Sequence, residues 1–148
     1  MLRLIDMYKL LPIIHILSRL GLLFSMVLAV PKLMSYFFLD NAFPAFAYTA
    51  LATTLTSCAV WLMTFHFRRE LRPRDGFTLV LMLWLAFALV AAMPIYIHIP
   101  GISFTDAFFE AMSGLTTTGA TVMTSLDTLA PSVNFWRHML NWLGGMGI

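Results

Sequence analysis

Apolar residues in this chain gather in long runs that are separated by short polar stretches. Three runs reach the roughly 20 residues that a helix needs to cross a bilayer, whose hydrocarbon is about 30 Å thick. They cover residues 10–38, 43–66 and 77–99. A fourth run begins near Val133 and is still apolar at Trp142. The pattern predicts three full membrane-spanning helices and an incomplete fourth one.

Two prolines mark irregularities in these spans. Pro31 should kink the first span or end its regular part, because proline lacks the N–H that an interior helical position donates. Pro94 predicts a kink near the far end of the third span.

A cleaved signal peptide is the alternative for the first thirty residues, since Arg3 and Lys9 precede an apolar core. No small-residue cleavage site stands at the right distance, which favours the membrane span.

Composition supports a membrane protein. The chain is 60% hydrophobic and 11% charged, whereas soluble domains average about 45 to 50% apolar and about 25% charged residues. The single cysteine, Cys58, excludes an intrachain disulfide framework and a multi-cysteine metal cluster. The net charge of +2 comes from few basic residues between apolar runs, so we expect membrane lipid and no nucleic acid as a partner.

Basic residues in the short connections predict the orientation, since Lys and Arg are retained on the cytoplasmic side. Arg3 and Lys9 precede the first span. Four arginines crowd the connection between the second and third spans: Arg68, Arg69, Arg72 and Arg74. We therefore expect a multi-pass protein of the bacterial inner membrane with a cytoplasmic N-terminus. Asp40 and the segment 106–127 then face the outside.

The stretch between the third and fourth runs is too short to cross a membrane but is organised. Ser103 and Asp106 have the spacing of a capping box, and apolar residues follow at helical intervals, which predicts a short helix from Ser103 to about Leu115. Hydroxyl and β-branched residues around one glycine, Gly119, then disfavour helix at 116–122. Non-helical backbone at membrane depth must be buried in protein or line a watery cavity. The pattern indicates a re-entrant pore loop.

The residue types of this loop suit a cation. An ion that leaves water needs replacement oxygens, which inward-pointing carbonyls supply without fixed charges that would hold it too tightly. The negative end of the preceding short helix favours a cation at the same place. Three acids are expected on the outer side, where they raise the local cation concentration or, for Asp106, stabilise the helix start: Asp106, Glu110 and Asp127. Trp136 and Arg137 are interpreted as an anchor at the outer interface.

These motifs resemble the first pore repeat of Trk-type bacterial potassium uptake proteins. The resemblance rests on residues 106–122 and 135–148, above all on Thr-Thr-Thr-Gly-Ala-Thr at 116–121 and Gly-Gly-Met-Gly at 144–147. Residues 74–77 before the third span resemble the family too. We interpret Gly144, Gly145 and Gly147 as small residues that let helices approach closely.

The resemblance implies a potassium-channel-like architecture: an all-α integral membrane protein with a re-entrant pore helix and an extended filter loop. In TrkH-type members two extra helices precede the first repeat. Residues 1–70 would then hold these helices, and residues 71–148 the first helix, pore loop, helix repeat, truncated in its second helix. The family uses four such repeats, so the remaining three would be partners, together with a peripheral cytoplasmic nucleotide-binding regulatory subunit.

The same resemblance names the filter and the ion. It implies potassium as the transported ion, with no organic cofactor, and potassium ligands at Thr117 and Thr118. The whole predicted filter comprises Thr116, Thr117, Thr118, Gly119 and Ala120. The residues leave open whether potassium moves alone or in symport with a proton or sodium. Because one strand cannot surround an ion, we expect this chain to be inactive alone.

Two alternatives stay open at this point. One is a membrane anchor or cytochrome-like subunit of a respiratory enzyme, in which His66, His98 or His138 would bind haem. The other is a nonfunctional truncated gene product. No catalytic nucleophile with a base and no phosphate-binding glycine loop is recognisable in the sequence, so we expect no enzymatic activity.

Overall fold

Across the residues that the structure describes, six α-helices and one short 3-10 turn form the fold. The computed structural model describes residues 2–66, 72–124 and 126–147, and it does not describe the side chains of residues 2–9 and 74. The elements in chain order are α1 (Leu2–Val27), α2 (Ala29–Phe38), α3 (Phe43–Thr64), α4 (Pro73–His98), α5 (Phe104–Leu115), the 3-10 turn (Leu126–Thr128) and α6 (Pro131–Gly145).

The first predicted span is divided into α1 and α2 by a break at Leu28. The predicted irregularity is therefore present, but it lies three residues before Pro31. The displacement has a simple cause. Proline offers no N–H to the carbonyl four residues earlier, and its ring clashes with that carbonyl. For Pro31 this is the carbonyl of Val27, where α1 ends.

Helices α3, α4 and α6 each have a proline in the first turn, where a missing N–H costs nothing. Helix α4 begins four residues earlier than predicted, at Pro73. The backbone N–H of Arg72 donates to Asp75 Oδ2 over 3.0 Å and caps this start. The helix continues through Pro94 to His98.

The long helices have membrane character. Within the described residues, three helical stretches are long and apolar enough to cross a bilayer: 10–38, 43–64 and 75–98. Large apolar side chains cover their outward faces, among them Leu55, Leu62, Met63 and Leu81. Such faces are stable against lipid and unfavourable against water. This confirms the predicted all-helical membrane fold.

Trp136 of α6 lies at the centre of the core. Its side chain is fully buried, its Nε1 donates to the carbonyl oxygen of Ala91 over 3.0 Å, and its ring centroid lies 6.0 Å from that of Phe24 and 6.1 Å from that of Phe46. Phe24 also stacks on Phe87 at 4.2 Å. Residues of α1, α3, α4 and α6 thus meet at one indole. The prediction of Trp136 as an interface anchor is wrong.

Asp40 joins distant parts of the chain at one end of the bundle. Its Oδ2 accepts from the backbone N–H of Ser132 over 2.8 Å, and its Oδ1 accepts from the Ser35 hydroxyl and from the Ala42 N–H. The connection between α2 and α3 therefore lies beside the start of α6, on the common side that the sequence predicts. Arg68 and Arg69 lie outside the described residues, as do the side chains of Arg3, Lys9 and Arg74.

Candidate functional site

Helix α5 begins where the capping pattern predicts. Ser103 is its N-cap, and the serine Oγ accepts from the backbone N–H of Asp106 over 3.1 Å. The same hydroxyl donates to Asp106 Oδ2 over 2.7 Å. The carboxylate also lies in the first turn, where the helix dipole favours negative charge. Asp106 therefore has the helix-starting role that the sequence favoured for it.

Small residues bring α5 close to α6. Ala107, Ala111 and Gly114 are buried at helical spacing on one face of α5. A side chain on Gly144 of α6 would collide with the carbonyl group of Leu115. A side chain on Gly114 would in turn press on Leu140. The close approach predicted for Gly144 is confirmed, and it fixes the end of α5 where the predicted filter begins.

The predicted filter is not helical. After α5 ends at Leu115, the backbone turns at 116–117 and runs without regular structure from 118 to 123. Thr117 and Gly119 adopt left-handed φ angles of 57° and 72°. Residues 116–122 are all exposed, although they follow a largely buried helix. The sequence predicted both the change from helix and the special backbone of Gly119.

Ser113 of α5 holds the first part of this segment. Its carbonyl oxygen accepts from the N–H of Thr118 over 2.9 Å and from that of Gly119 over 3.4 Å. Its hydroxyl donates to the carbonyl oxygen of Ala120 over 2.7 Å. The Ala120 carbonyl is therefore engaged with the pore helix, whereas the carbonyl oxygens of 116–119 accept no hydrogen bond that the structure identifies between described residues. Sequence reasoning missed Ser113.

The threonine hydroxyls bond within the loop. Thr116 Oγ1 donates to the carbonyl of Met112 over 2.8 Å, which extends the last turn of α5. It also lies 2.8 Å from Thr118 Oγ1. These contacts anchor the start of the strand to the helix.

Glu110 does not face the outer mouth. Only 3% of this residue is exposed, and its Oε2 accepts from Arg137 Nε over 2.9 Å and pairs with Arg137 Nη2 at 2.8 Å. The predictions of Glu110 as a cation-attracting surface acid and of Arg137 as an interface anchor are both wrong. Glu110 is an acid among apolar residues of a short helix, and this sequence signal could have indicated a buried ion pair.

Neutral oxygens are the ligands that the segment 116–120 offers to an ion. Among the described residues, no group of three or more His, Cys, Asp and Glu side chains could hold a metal ion. The exposed segment 116–120 offers backbone carbonyls and hydroxyls instead. Weak oxygen ligands of this kind suit a monovalent cation in transit better than a tightly held divalent metal.

Three apolar spans, a short helix that does not cross and an exposed extended segment returning to another helix define a class: membrane proteins built on a helix, pore loop, helix repeat. A family model described as TrkH, cation transport protein, matches residues 42–148. The chain belongs to this family.

Individual relatives agree. The chain is 41% identical over 137 residues to the Trk system potassium uptake protein TrkH of Halomonas elongata, and 39% identical over 137 residues to that of Escherichia coli. Each alignment covers 92% of this chain and 28% of the relative. The crystal structure of the potassium transporter TrkH from Vibrio parahaemolyticus superimposes with a TM-score of 0.87 at 39% identity, covering 93% of this chain and 30% of that one.

The chain thus spans a little over a quarter of the length of these relatives, 28% for the two sequences above. The relatives are transport proteins and not enzymes, which favours the transport prediction over the respiratory-anchor alternative. The likeness confirms the predicted family and the potassium-channel-like membrane fold.

Proposed function

We propose that this chain supplies the first pore repeat of a transporter that takes up potassium. The observation that carries the proposal is the exposed, oxygen-rich segment 116–119, which leaves the buried end of α5 with left-handed backbone at two positions. Membership of a cation transport family and the potassium uptake of the named relatives support it.

The filter acts by replacing water. In an ordinary strand, successive carbonyls point in opposite directions, and the left-handed backbone at Thr117 and Gly119 interrupts that alternation. We assign the carbonyls of 116–119 and the hydroxyls of Thr117 and Thr118 to the potassium pathway. The carbonyl of Ala120, held by Ser113, has a structural role in this assignment.

The C-terminus of helix α5 attracts a cation toward the filter. Because the helix ends at Leu115, the partial negative charge of its C-terminus lies directly before the filter. A desolvated cation at this end is favoured by about 0.3 to 1 kcal/mol at an exposed site and by more where water is excluded.

A single strand leaves most of an ion's surroundings open, so the proposal includes three further repeats around the same pathway. It also includes a cytoplasmic nucleotide-binding regulator and surrounding lipid as partners. We place the protein in the bacterial inner membrane with a cytoplasmic N-terminus, which puts Asp40 and α5 on the outer side. We expect no enzymatic activity from the chain.

The test uses a bacterium that lacks potassium uptake systems and grows poorly at low potassium. We expect rescue from a transporter that contains this chain with three further repeats, and none from residues 1–148 alone. Gly119→Ser should weaken selectivity for potassium over sodium, because a Cβ strains the left-handed backbone. Gly119 has a φ of +72° and open space around it, so the serine side chain would meet no clash. A loss of selectivity would therefore come from strain in the backbone.

Gly101 supplies the matched control. It also has a left-handed backbone, at φ +81°, and open space, but it lies in the connection between α4 and α5. Gly101→Ser should lower stability without changing the potassium to sodium ratio. Unchanged rescue and unchanged sodium exclusion in Gly119→Ser would contradict the filter assignment.

A further inference from the structure

The carboxylate of Glu110 lies behind the filter and is almost fully buried. A buried carboxylate is costly unless all of its oxygens are paired or hydrogen-bonded. The side chain borders a cavity of about 200 Å³ that is also lined by Ser113, Gly119, Ala120 and Arg137. The acid is therefore placed between the pore helix, the filter strand and α6.

The two oxygens of Glu110 serve different partners. Oε2 receives the Arg137 guanidinium through Nε at 2.9 Å and Nη2 at 2.8 Å. Oε1 accepts from the hydroxyl of Thr121 over 2.5 Å and from the backbone N–H of Val122 over 2.8 Å. Two nitrogens of arginine's planar fork donate to Oε2, which holds that oxygen and leaves Oε1 for the strand.

The filter strand thus has two successive anchors, and the second lies beyond its exposed carbonyl oxygens at 116–119. Ser113 holds Thr118 and Ala120 through the bonds described above, and Glu110 holds Thr121 and Val122. Gly119, whose backbone is the most permissive in the segment, lies within the part that Ser113 holds, two residues before the first hydrogen bond of Glu110. Without the second anchor, the strand beyond Ala120 loses its hydrogen bonds to Glu110, and the position of the carbonyls beside Gly119 depends on Ser113.

From this geometry we propose that Glu110, oriented by Arg137, is a positioning residue that sets ion selectivity by holding the outgoing end of the filter strand. The inference rests on the proposed function of the filter. It assigns Glu110 no contact with the ion. The charge of the pair is secondary in this role, because what acts on the strand is a correctly aimed hydrogen-bond acceptor.

The experiment compares variants of the complete transporter by the ratio of potassium to sodium uptake, normalised to the amount in the membrane. Glu110→Gln keeps the size of the side chain, but its amide group must place a donor toward either Arg137 or the strand. Losing hydrogen bonds to a charged group changes an equilibrium constant by about tenfold or more. We therefore expect the ratio of potassium to sodium uptake to fall by about tenfold. Arg137→Lys keeps the charge but loses the fork, and a smaller fall is expected.

A double variant, Glu110→Arg with Arg137→Glu, separates positioning from charge pairing. It restores opposite charges but gives Thr121 and Val122 no acceptor from α5, so selectivity should stay low. Asp40→Asn is the matched control. Asp40 also accepts from a backbone N–H, at the start of α6, but its hydrogen-bond partners lie outside the filter segment. Its uptake ratio should equal that of the wild type.

Amide hydrogen exchange at Val122 gives a readout that is independent of transport. We expect faster exchange in Glu110→Gln than in the wild type. Wild-type selectivity in Glu110→Gln, or selectivity restored by the charge swap, overturns the inference. A third outcome separates the two proposals. If Glu110→Gln speeds exchange at Val122 but the wild-type transporter carries no potassium, Glu110 positions the strand and the proposed function is refuted.

Discussion

Thr117 has a backbone that its side chain disfavours. A β-branched residue in the left-handed region costs about 1 to 2 kcal/mol, yet φ of Thr117 is 57°. Its N–H donates to the carbonyl of Gly114 over 2.9 Å, and the next N–H, of Thr118, donates to Ser113 over 2.9 Å. These bonds impose the conformation. Sequence reasoning found Gly119, because glycine tolerates positive φ, and had no signal for Thr117, whose conformation comes from α5.

Asp40 is a second residue whose role depends on its neighbours. Burial by itself raises its pKa, but hydrogen bonds from Ser35, from the backbone N–H of Ser132 and from that of Ala42 outweigh burial and hold the pKa of Asp40 below its ordinary value of 3.8. A group whose pKa is lower in the folded state stabilises the fold in its ionised form. Its contribution is present above the ordinary pKa and is lost as the pH falls through the folded one.

We therefore predict that acid destabilises the protein partly through Asp40. Asp40→Asn should lower the free energy of unfolding by about 1 to 3 kcal/mol at neutral pH and should flatten its dependence on pH below about 4. Thermal unfolding of the detergent-purified protein at several pH values measures both. Asp127→Asn, at an exposed position of the 3-10 turn, is the control. Equal acid sensitivity of Asp40→Asn and the wild type would contradict the prediction.

Among the elements, the helices were predictable and their exact ends less so. Long apolar runs predicted α3, α4 and the combined length of α1 and α2, since membrane thickness and hydropathy act along the chain. The capping residues predicted the start of α5. The break at Leu28 and the early start of α4 depend on which carbonyl a proline leaves unpaired and on the cap formed by Arg72 and Asp75. Hydropathy does not contain that information.

The contact between α5 and α6 should tolerate no side chain at Gly144. Gly144→Ala places a Cβ on the carbonyl of Leu115, which must shift, and overpacking of this kind costs about 1 to 3 kcal/mol. We expect a lower unfolding temperature in detergent. Gly76→Ala is the control, because nothing lies within 4 Å of the added Cβ. Its unfolding temperature should be equal or slightly higher, since alanine favours helix over glycine. Equal stability of both variants would contradict the close approach.

At the scale of the whole molecule, the sequence did not predict the contacts between residues that are far apart in the chain. Glu110 and Arg137 are 27 positions apart, and Trp136 and Ala91 are 45 apart. Each residue alone fits a simpler role at a membrane surface, and hydropathy cannot tell a buried Trp from an interfacial one. The family resemblance predicted the filter, but the polar contacts behind it became visible only once α5 and α6 were packed together.

Trp136 should dominate the stability of the bundle. Trp136→Phe removes the donor to the Ala91 carbonyl and should cost about 1 to 3 kcal/mol, and Trp136→Ala about 3 to 5 kcal/mol. Denaturant unfolding in micelles measures the difference. Trp142, 62% exposed on the same helix, is the control, and Trp142→Phe should change stability by less than about 0.5 kcal/mol. A similar loss in the Trp136→Phe and Trp142→Phe variants would count against a core role.

The central indole also has a consequence for biogenesis. Its neighbours Phe24 and Phe46, and Phe87 that stacks on Phe24, belong to helices that leave the ribosome before α6 does, because the N-terminal part of a chain is synthesised first. Until α6 arrives, the side of these aromatic rings that Trp136 later covers faces acyl chains or the insertion machinery. We expect the early helices to enter the bilayer as a loose group that becomes a fixed assembly only when Trp136 closes it, so a delay at that step would leave the newborn protein open to membrane proteases.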